Sequence, residues 1–487
     1  MVDDTLERVP ERSERPLLNL LALARQSAVY ALGGFAYKGL AILAVPLLAR
    51  LLTPAELGLL DAAAITATLL GLVAGLGTEQ AVAWTESRVA DQRRLWASAL
   101  AMVGALSLLI VGVAAVASEP LALVLTGDAR HGNVVVLAAV YGSVMAFTAA
   151  ALNAIRLRST PRWYAVGSFA VVTAELIAAL GVAWLVPEPV QWMVLGWALS
   201  AAAVTVGLLW IHLPGLAWPD MRVVRRLAAF GIPLVPAAIA WLAGDVAIRS
   251  ALARDASLGT LGEYGIAYRV ASVLALMVAG FAVAWHPFLF RGSSKHVLPN
   301  ARSAMPVLVA AVGVTAMVIS LLAPELVGVV AGSDYANAAQ AVPFLTGGMV
   351  ALGMFTLSGG VAAASGSTRV IAVVALGGMA VQIALAQPLV ATLGLVGGGL
   401  ASLVGYSVAG LGLTAQAGLV NRSRSTLSMA AVLAVTAGGL VAANALMSSS
   451  VTLRLVVLVG AIGLAVLAIR ISRVRGGALT DVASRPG

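Results

Sequence analysis

Cysteine is absent from the 487 residues of this chain. Its absence excludes disulfide bonds, thiolate metal sites and cysteine nucleophiles. Histidine is also scarce, and the four histidines lack the paired spacing of metal-binding motifs. We therefore expect no catalytic residue, no metal site and no cofactor, and we expect that the chain is not an enzyme.

Charged side chains are the second scarcity. They make up 10% of the chain, 61% of the residues are hydrophobic, and the mean hydropathy is +0.98. Soluble domains carry about 25% charged residues. A surface of this composition is solvated by lipid, which predicts an integral membrane protein.

Long apolar segments define the expected architecture, because a helix needs about 20 mostly apolar residues to cross a bilayer. The sequence predicts an all-α polytopic membrane protein with about 14 transmembrane helices. The predicted spans are 26–50, 56–83, 96–118, 133–155, 163–186, 190–212, 229–253, 262–290, 304–323, 338–364, 368–391, 395–420, 427–447 and 451–470.

The basic residues orient these spans. When the spans alternate, 23 of the 30 basic residues fall on one side, at the N-terminus, in alternate loops and at the C-terminus. Four fall on the other side: Arg50, Arg130, Arg254 and Arg454. Basic loops stay in the cytoplasm. We expect a multi-pass protein of the bacterial cytoplasmic (inner) membrane with both termini cytoplasmic, and topology explains the net charge of +9 without a nucleic-acid partner.

An internal repeat divides the chain into two lobes. The segment Glu56-Leu57-Gly58 recurs as Glu263-Tyr264-Gly265, 207 residues later, and Arg162 recurs as Arg369 at the same offset. Six spans separate the copies, so the repeat is parallel, as in several transporter folds. The predicted organisation is a cytoplasmic tail (1–25), an N-lobe of helices 1–6 (26–212), a cytoplasmic linker (213–228), a C-lobe of helices 7–12 (229–420), helices 13 and 14 (421–475) and a flexible cytoplasmic tail (476–487).

Charges inside the spans are the candidate functional residues, because a charge at the bilayer centre costs several kcal/mol unless it faces a cavity or a partner. The basic ones are Lys38, Arg249 and Arg269, and the acidic ones are Glu175 and Asp245. The repeat relates Lys38 to Asp245 and Glu175 to Gln382, so polar positions recur in both lobes. Together with Tyr37 and Tyr268, these residues are expected to line one central cavity.

Structural roles remain open for the same residues. Asp245 and Arg249 are spaced i,i+4 and could neutralise each other on one helix face, and Lys38 could form a static ion pair with Glu175. Arg269 could extend outward to the membrane surface.

Aromatic and acidic side chains near the span ends can be interpreted as residues of the membrane–water interface. Tyr264 is expected to anchor the protein at the membrane interface, whereas Tyr37 and Tyr268 could be interface anchors or sugar-stacking platforms. Asp61 and Glu79 lie near span ends and are expected to be interfacial rather than functional.

Two cytoplasmic stretches mix basic and apolar residues, DQRRLW at 91–96 and DMRVVRRLAAF at 220–230. Such stretches form short interfacial elbows that anchor on anionic lipid. Contact with a lipid diphosphate headgroup is the sharper hypothesis, and its candidate residues are Arg93, Arg94, Arg225 and Arg226.

With these residues in view, the chain resembles the polysaccharide-transporter (oligosaccharide flippase) family, in the superfamily that also holds multidrug and toxin exporters. The resemblance is most specific in VPLLARLLTPAELGLLDAAA (45–64) and LLAPELVGVVAGSDYANAAQAVPFL (321–345). AGLGTEQAVAW (74–84), FGIPLVPAAIAWLAGDVAI (230–248), YGIAYRVASVLAL (264–276) and ASGSTRVIAVVALGG (364–378) support it. The family usually has adjacent Asp and Arg in span 7, whereas here Val246 follows Asp245.

The resemblance implies a V-shaped, two-lobed exporter of undecaprenyl-diphosphate-linked oligosaccharide with a cationic cavity, for which Lys38, Arg249 and Arg269 are the candidates. It implies lipid-linked oligosaccharide, membrane lipids and a polysaccharide polymerase as partners, and a monomer is expected. A cation-coupled drug exporter of the same fold is the alternative, with Glu175 or Asp245 as the coupling carboxylate. A glycan polymerase or ligase would need a larger external loop than the sequence provides.

Overall fold

The computed structural model describes most of the helical core of the chain. The described residues are 44, 46–86, 91–158, 161–212, 215, 217–232, 235–290, 294–364, 368–419, 424–446, 449–460 and 463. Lys38 and Tyr37, and most of predicted span 1, lie outside them.

The described residues form helices and short connections, with no strand among them. The helices are α1 (46–51), α2 (Pro54–Gly75), α3 (Thr78–Glu86), α4 (Gln92–Val116), α5 (Ser118–Thr126), α6 (Gly132–Arg158), α7 (Pro161–Leu185), α8 (Val190–His212), α9 (Met221–Gly231), α10 (Val235–Ala251), α11 (Leu258–Phe290), α12 (Ser294–Leu321), α13 (Ala323–Ala331), α14 (Val342–Ala364), α15 (Thr368–Gln416), α16 (Arg424–Ala445) and α17 (Val451–Gly460). Turns of 3₁₀ helix precede α6 (Ala129–His131) and α14 (Ser333–Gln340), and a π-helical turn (Leu252–Ala256) follows α10.

Many of these helices are able to span a membrane. Among the described residues, eight helices are long and apolar enough to cross a bilayer, or nine if α12 and α13, which meet at 68°, count as one bent span. The fold class, an all-α polytopic membrane protein, is confirmed, and the total of fourteen spans stays a prediction.

The longest helix, α15, folds back on itself. A straight helix of its 49 residues would be about 74 Å long, far more than the roughly 30 Å hydrocarbon core. The backbone leaves the helical region at Gly394 (φ 55°, ψ −125°). Beyond it the chain runs antiparallel, because Gly405 lies against Gln382 and Gly412 against Val374. The two legs correspond to predicted spans 11 and 12.

Predicted span 2 is interrupted. A capping box between Thr53 and Glu56 starts α2. The helix ends at Leu76 (φ 43°) and Gly77 (φ 61°), both in the left-handed region, and α3 begins at Thr78. This break positions the wall of a cavity described below.

Within the predicted linker between the lobes, residues 221–228 belong to an amphipathic helix, α9. Asp220 caps α9 by accepting a hydrogen bond from the Arg222 backbone at 2.8 Å. Val223 and Leu227 are buried in a hydrophobic cluster with α3 and α4. The helix also continues to Gly231, past the predicted linker end at 228, and packs on the N-lobe. At the other elbow, residues 92–96 are the first turns of α4 rather than a separate segment.

The two predicted lobes, residues 26–212 and 229–420, meet along α2. This helix packs against α6 of its own lobe and against α10 and α11 of the other. Gly58 and Gly262 allow the close approach: a Cβ at Gly58 would overlap the Leu258 carbonyl, and one at Gly262 would overlap the Pro54 carbonyl. We call this contact between α2 and α11 the lobe seam.

The order of elements recurs in the two lobes. In the N-lobe, α4, the short α5 and a 3₁₀ turn precede α6, and in the C-lobe α12, the short α13 and a 3₁₀ turn precede α14. Helix α15 begins at Thr368, 207 residues after α7 begins at Pro161. The order agrees with the predicted repeat, and superposition of the lobes remains its test.

Candidate functional site

Asp245, on α10, is the centre of a buried polar cluster in the C-lobe. Its Oδ1 accepts hydrogen bonds from Gln382 Nε2 at 3.3 Å and Tyr406 Oη at 3.1 Å, and its Oδ2 accepts one from Tyr268 Oη at 3.2 Å. Arg249 lies one turn away, with Nη1 3.9 Å from Asp245 Oδ2. The i,i+4 pair therefore exists as a long contact, and three neutral donors are closer to the carboxylate.

Asp61 joins the lobes through two ion pairs. From α2 of the N-lobe, its Oδ2 accepts a hydrogen bond from Arg249 Nε at 2.8 Å, and its Oδ1 lies 3.1 Å from Arg269 Nη2. Its side chain is 9% exposed. The expectation that Asp61 is interfacial is wrong, because Asp61 lies inside the protein at the seam. Arg269 faces Asp61, which accounts for its charge without extension to the membrane surface.

Two tyrosines of α11 surround Arg249. The guanidinium carbon lies 4.8 Å from the Tyr268 ring centroid and 5.5 Å from that of Tyr264, within cation–π range. The Tyr264 hydroxyl is 3.0 Å from Ser402 Oγ, and the whole residue is buried. The prediction that Tyr264 anchors the membrane interface is therefore wrong.

The cluster is balanced in charge, with two aspartates and two arginines. A buried arginine without a carboxylate would cost several kcal/mol, so Asp61 stabilises both Arg249 and Arg269 where they lie. Neither arginine lines the two N-lobe cavities described next. In this conformation both face carboxylates.

The larger N-lobe cavity has a volume of about 750 Å³. It is open on one side and is lined by the end of α2, Gly77 at the break, the start of α3, one face of α6 and Val235 of α10. Its described polar lining consists of Thr68, Thr78, Glu79, Gln80 and Tyr141. Glu79, expected near the membrane interface, lines this cavity.

A second cavity of about 310 Å³ continues from the first along α6 and shares Glu79, Met145 and Ala149 with it. At its far end Arg156 donates a hydrogen bond to Asn153 Oδ1 at 2.6 Å, and Asn153 Nδ2 donates to the Glu79 carbonyl at 3.2 Å. Arg156 lies in a predicted cytoplasmic loop, so the path leads from the predicted cytoplasmic side toward the middle of the lobe.

Glu175 lies beside the larger cavity, buried on α7. The hydroxyl of Tyr141, a cavity residue, donates a hydrogen bond to Glu175 Oε1 at 3.0 Å, and the Tyr141 ring lies 5.4 Å from that of Trp197. The predicted partner Lys38 lies outside the described residues, as does Tyr37. Gln382, the residue related to Glu175 by the repeat, is also buried and binds Asp245.

The four candidate headgroup arginines all lie at the surface. Arg93 and Arg94 are exposed at the start of α4, and Arg225 and Arg226 on α9. Ser98 Oγ accepts a hydrogen bond from the Asp220 backbone at 2.9 Å and so ties α4 to the start of α9. The two pairs of arginines are thereby carried on one fixed pair of helices.

Sequence reasoning missed the partner of the arginines. Asp61 is 188 residues from Arg249 in the chain, and no local spacing signals the contact. One signal was present: the repeat relates Asp61 to Tyr268, so a polar residue at this position recurs in both lobes. Tyr141 and Tyr406 were missed because single tyrosines are common in membrane helices.

Comparison with known proteins gives a consistent family and fold. The sequence model described as "Polysaccharide biosynthesis protein" matches residues 23–293. No curated protein matches the chain.

Solved structures match over most of the chain. The lipid II flippase MurJ in an inward closed conformation is similar with a TM-score of 0.67 and 10% identity, covering 92% of this chain and 98% of MurJ. An inward-facing multidrug resistance MATE family transporter is similar with a TM-score of 0.63 and 13% identity, over 82% of this chain and 95% of the other. A MATE transporter of Vibrio cholerae has a TM-score of 0.56 and 16% identity, over 81% and 95%. At such identities the likeness establishes the fold.

Proposed function

Since this chain belongs to the polysaccharide biosynthesis protein family and has the fold of flippases and exporters, we propose that it is a flippase for lipid-linked oligosaccharide. The substrate is undecaprenyl-diphosphate-linked oligosaccharide, moved across the cytoplasmic membrane by alternating access for cell-surface polysaccharide synthesis. The observation that carries the proposal is the family match over more than half of the chain. The likeness to a lipid II flippase supports a lipid-linked substrate.

The proposed transport cycle starts from the conformation described here. The lobes touch at the seam, at the N-terminal end of α2, which the predicted topology places on the periplasmic side. The cavities lead toward the opposite, cytoplasmic side. On the predicted topology this arrangement supports an inward-facing state, from which substrate release outside would require α2 to separate from α10 and α11.

We propose that the substrate diphosphate replaces Asp61 as the anion for the arginines. When the seam opens, Asp61 withdraws from Arg249 and Arg269, and the two arginines lose their neutralising carboxylate. A diphosphate in the cavity offers oxygens that suit guanidinium groups. Together with Lys38 these arginines supply positive potential, which offsets the cost of moving an anion through a low-dielectric region. Glu175 is the proposed counter-charge and proton-responsive group.

The remaining proposals concern the membrane surface and partners. The four exposed arginines on α4 and α9 are proposed to receive the lipid diphosphate headgroup or anionic phospholipids at the cytoplasmic surface. A polysaccharide polymerase is the proposed protein partner, and the protein is proposed to act as a monomer.

A cation-coupled drug exporter is the alternative function. It is favoured by one observation: the described lining of the larger cavity has a carboxylate, Glu79, and no basic side chain. An acidic cavity suits organic cations, whereas a basic one suits a diphosphate.

Transport in proteoliposomes distinguishes the two functions. Vesicles with the purified full-length chain receive an undecaprenyl-diphosphate-linked oligosaccharide, and a membrane-impermeant glycosidase reports the fraction exposed outside. A flippase converts the protected half of the substrate to a cleavable form, and protein-free vesicles do not. Ethidium uptake without movement of the lipid-linked sugar would establish the drug exporter instead.

A further inference from the structure

The break between α2 and α3 forms part of the wall of the larger N-lobe cavity. Leu76 and Gly77 reverse the sign of φ, and the chain restarts as a helix at Thr78. Interrupted helices in transporters occur where the irregular backbone lines a cavity, and they commonly carry the substrate site. The volume of about 750 Å³ is within the range of small-molecule sites.

The side chains at this break can hydrogen-bond but carry little charge. Glu79 and Gln80 are exposed and line the cavity together with the hydroxyl groups of Thr68, Thr78 and Tyr141. Within the described lining, Glu79 is the one charged side chain. It lies in the first turn of α3, where the helix dipole stabilises a negative charge. The cavity wall thus has a fixed carboxylate among neutral donors and acceptors.

Both charged side chains of the described cavity linings, Glu79 and Arg156, lie along the second cavity, where Asn153 bridges Arg156 and the Glu79 carbonyl. The cavity face of α6 runs from Tyr141 to Arg156, about 22 Å at 1.5 Å per residue. Arg156 lies at the end of the second cavity, and Glu79 lies where the two cavities join. Because Asn153 holds Arg156 close to Glu79, a diphosphate bound at Arg156 places the sugar attached to it beside Glu79.

We propose that the α2–α3 break is a sugar-binding subsite that takes uncharged glycans and discriminates against acidic ones. Sugar hydroxyls can donate hydrogen bonds to the Glu79 carboxylate, and they can both donate to and accept from the Gln80 amide. A uronate in the same place brings a second negative charge against Glu79, and this repulsion lowers its transport. The inference rests on the proposed flippase function and names the substrate class of that function.

The test measures transport of two defined probes by the full-length chain in proteoliposomes. The probes are undecaprenyl-diphosphate-linked disaccharides that end in glucose or in glucuronate. For the wild type, the glucuronate-to-glucose rate ratio is expected to be about 0.1, because like-charge repulsion across a wet cavity is worth roughly a factor of ten. Glu79→Gln is expected to raise the ratio about tenfold, and Glu79→Asp to keep it low.

Two further variants control the interpretation. Glu119→Gln removes a carboxylate from the first turn of another nine-residue helix, α5, that is exposed and lines neither cavity. Its ratio is expected to equal that of the wild type. Gln80→Glu adds a carboxylate to the cavity wall and is expected to lower the ratio further, which keeps the test informative if Glu79→Gln fails to fold.

The possible outcomes distinguish a failure of the sugar subsite from a failure of the proposed flippase function. A wild-type ratio near one, or a ratio unchanged by both Glu79→Gln and Gln80→Glu, overturns the sugar subsite while the flippase stands. Failure of the wild type to move either probe overturns the proposed function itself.

Discussion

Replacing Asp61 by asparagine is expected to shift the protein from the closed seam toward an open one. The asparagine keeps the shape of the side chain but removes the charge that neutralises Arg249, which lies 2.8 Å away, and Arg269, which lies 3.1 Å away. Loss of one partner from a buried ion pair costs about 3–5 kcal/mol. The Arg269 pair is partly exposed and adds at most about 1 kcal/mol.

The size of the shift follows from these energies. In the open state Asp61 is hydrated, so its substitution weakens the closed state selectively. A change of roughly 3 kcal/mol corresponds to about a hundredfold increase in the open-to-closed ratio.

Cysteine labelling measures this shift, because the chain has no cysteine of its own. Ala62 is buried, one turn beyond Gly58 on the face of α2 toward α11. In nanodiscs, Ala62→Cys is expected to react slowly with maleimide, and about a hundredfold faster when Asp61→Asn is added. Ala99→Cys, buried inside the N-lobe cluster under α9, is the matched control and is expected to be unaffected. If the thiol of Ala62→Cys reacts at the same rate in both backgrounds while Tm falls, the ion pairs stabilise the fold and do not hold the seam closed.

Three further predictions concern orientation, transport and packing. A cysteine introduced at Ser293, outside the described residues, is expected to react with reagent from the cytoplasmic side, and labelling from the periplasm would refute the orientation. Lys38→Ala is expected to impair export at normal expression, and Lys38→Arg is expected to retain part of it because arginine preserves the charge. Normal export by Lys38→Ala, together with loss of folding in Glu175→Gln, would indicate that the two residues form a structural ion pair. Gly58→Ala is expected to disfavour the closed seam, because the added methyl overlaps the Leu258 carbonyl, and faster maleimide labelling in the Ala62→Cys background reports it. Unchanged labelling would mean that α2 and α11 accommodate the added methyl group by a small shift, without opening the seam.

The apolar helices were the predictable part of the fold. Long apolar segments determine where helices lie in a membrane, and the described helices overlap the predicted spans from 56–83 onward. Breaks within the helices were harder to predict from the sequence. Leu76 adopts a left-handed conformation that leucine rarely takes, so composition gave no signal there. Only the adjacent Gly77 was compatible with a turn.

The polar residues were predictable as a set but not as pairs. A charge within a span indicates a partner or a cavity, and Arg249 and Asp245, selected on that ground, are both buried. Their i,i+4 spacing favoured a mutual pair, yet Arg249 binds Asp61 more closely. Contacts between lobes depend on helix packing, and neither periodicity nor spacing encodes them.

The reversal at Gly394 has a consequence for how the protein is made. Gly394 is the one residue with a non-helical conformation between the two legs of α15. The legs are thus joined without a polar loop that could stay in the aqueous phase after the first leg alone had inserted. We therefore expect the two legs to leave the insertion machinery together, as a helical hairpin. Force measured on the nascent chain by a translational arrest peptide is expected to show a single pulling event for residues 368–416. Lengthening the reversal with a polar insert at Gly394 is expected to divide that event in two.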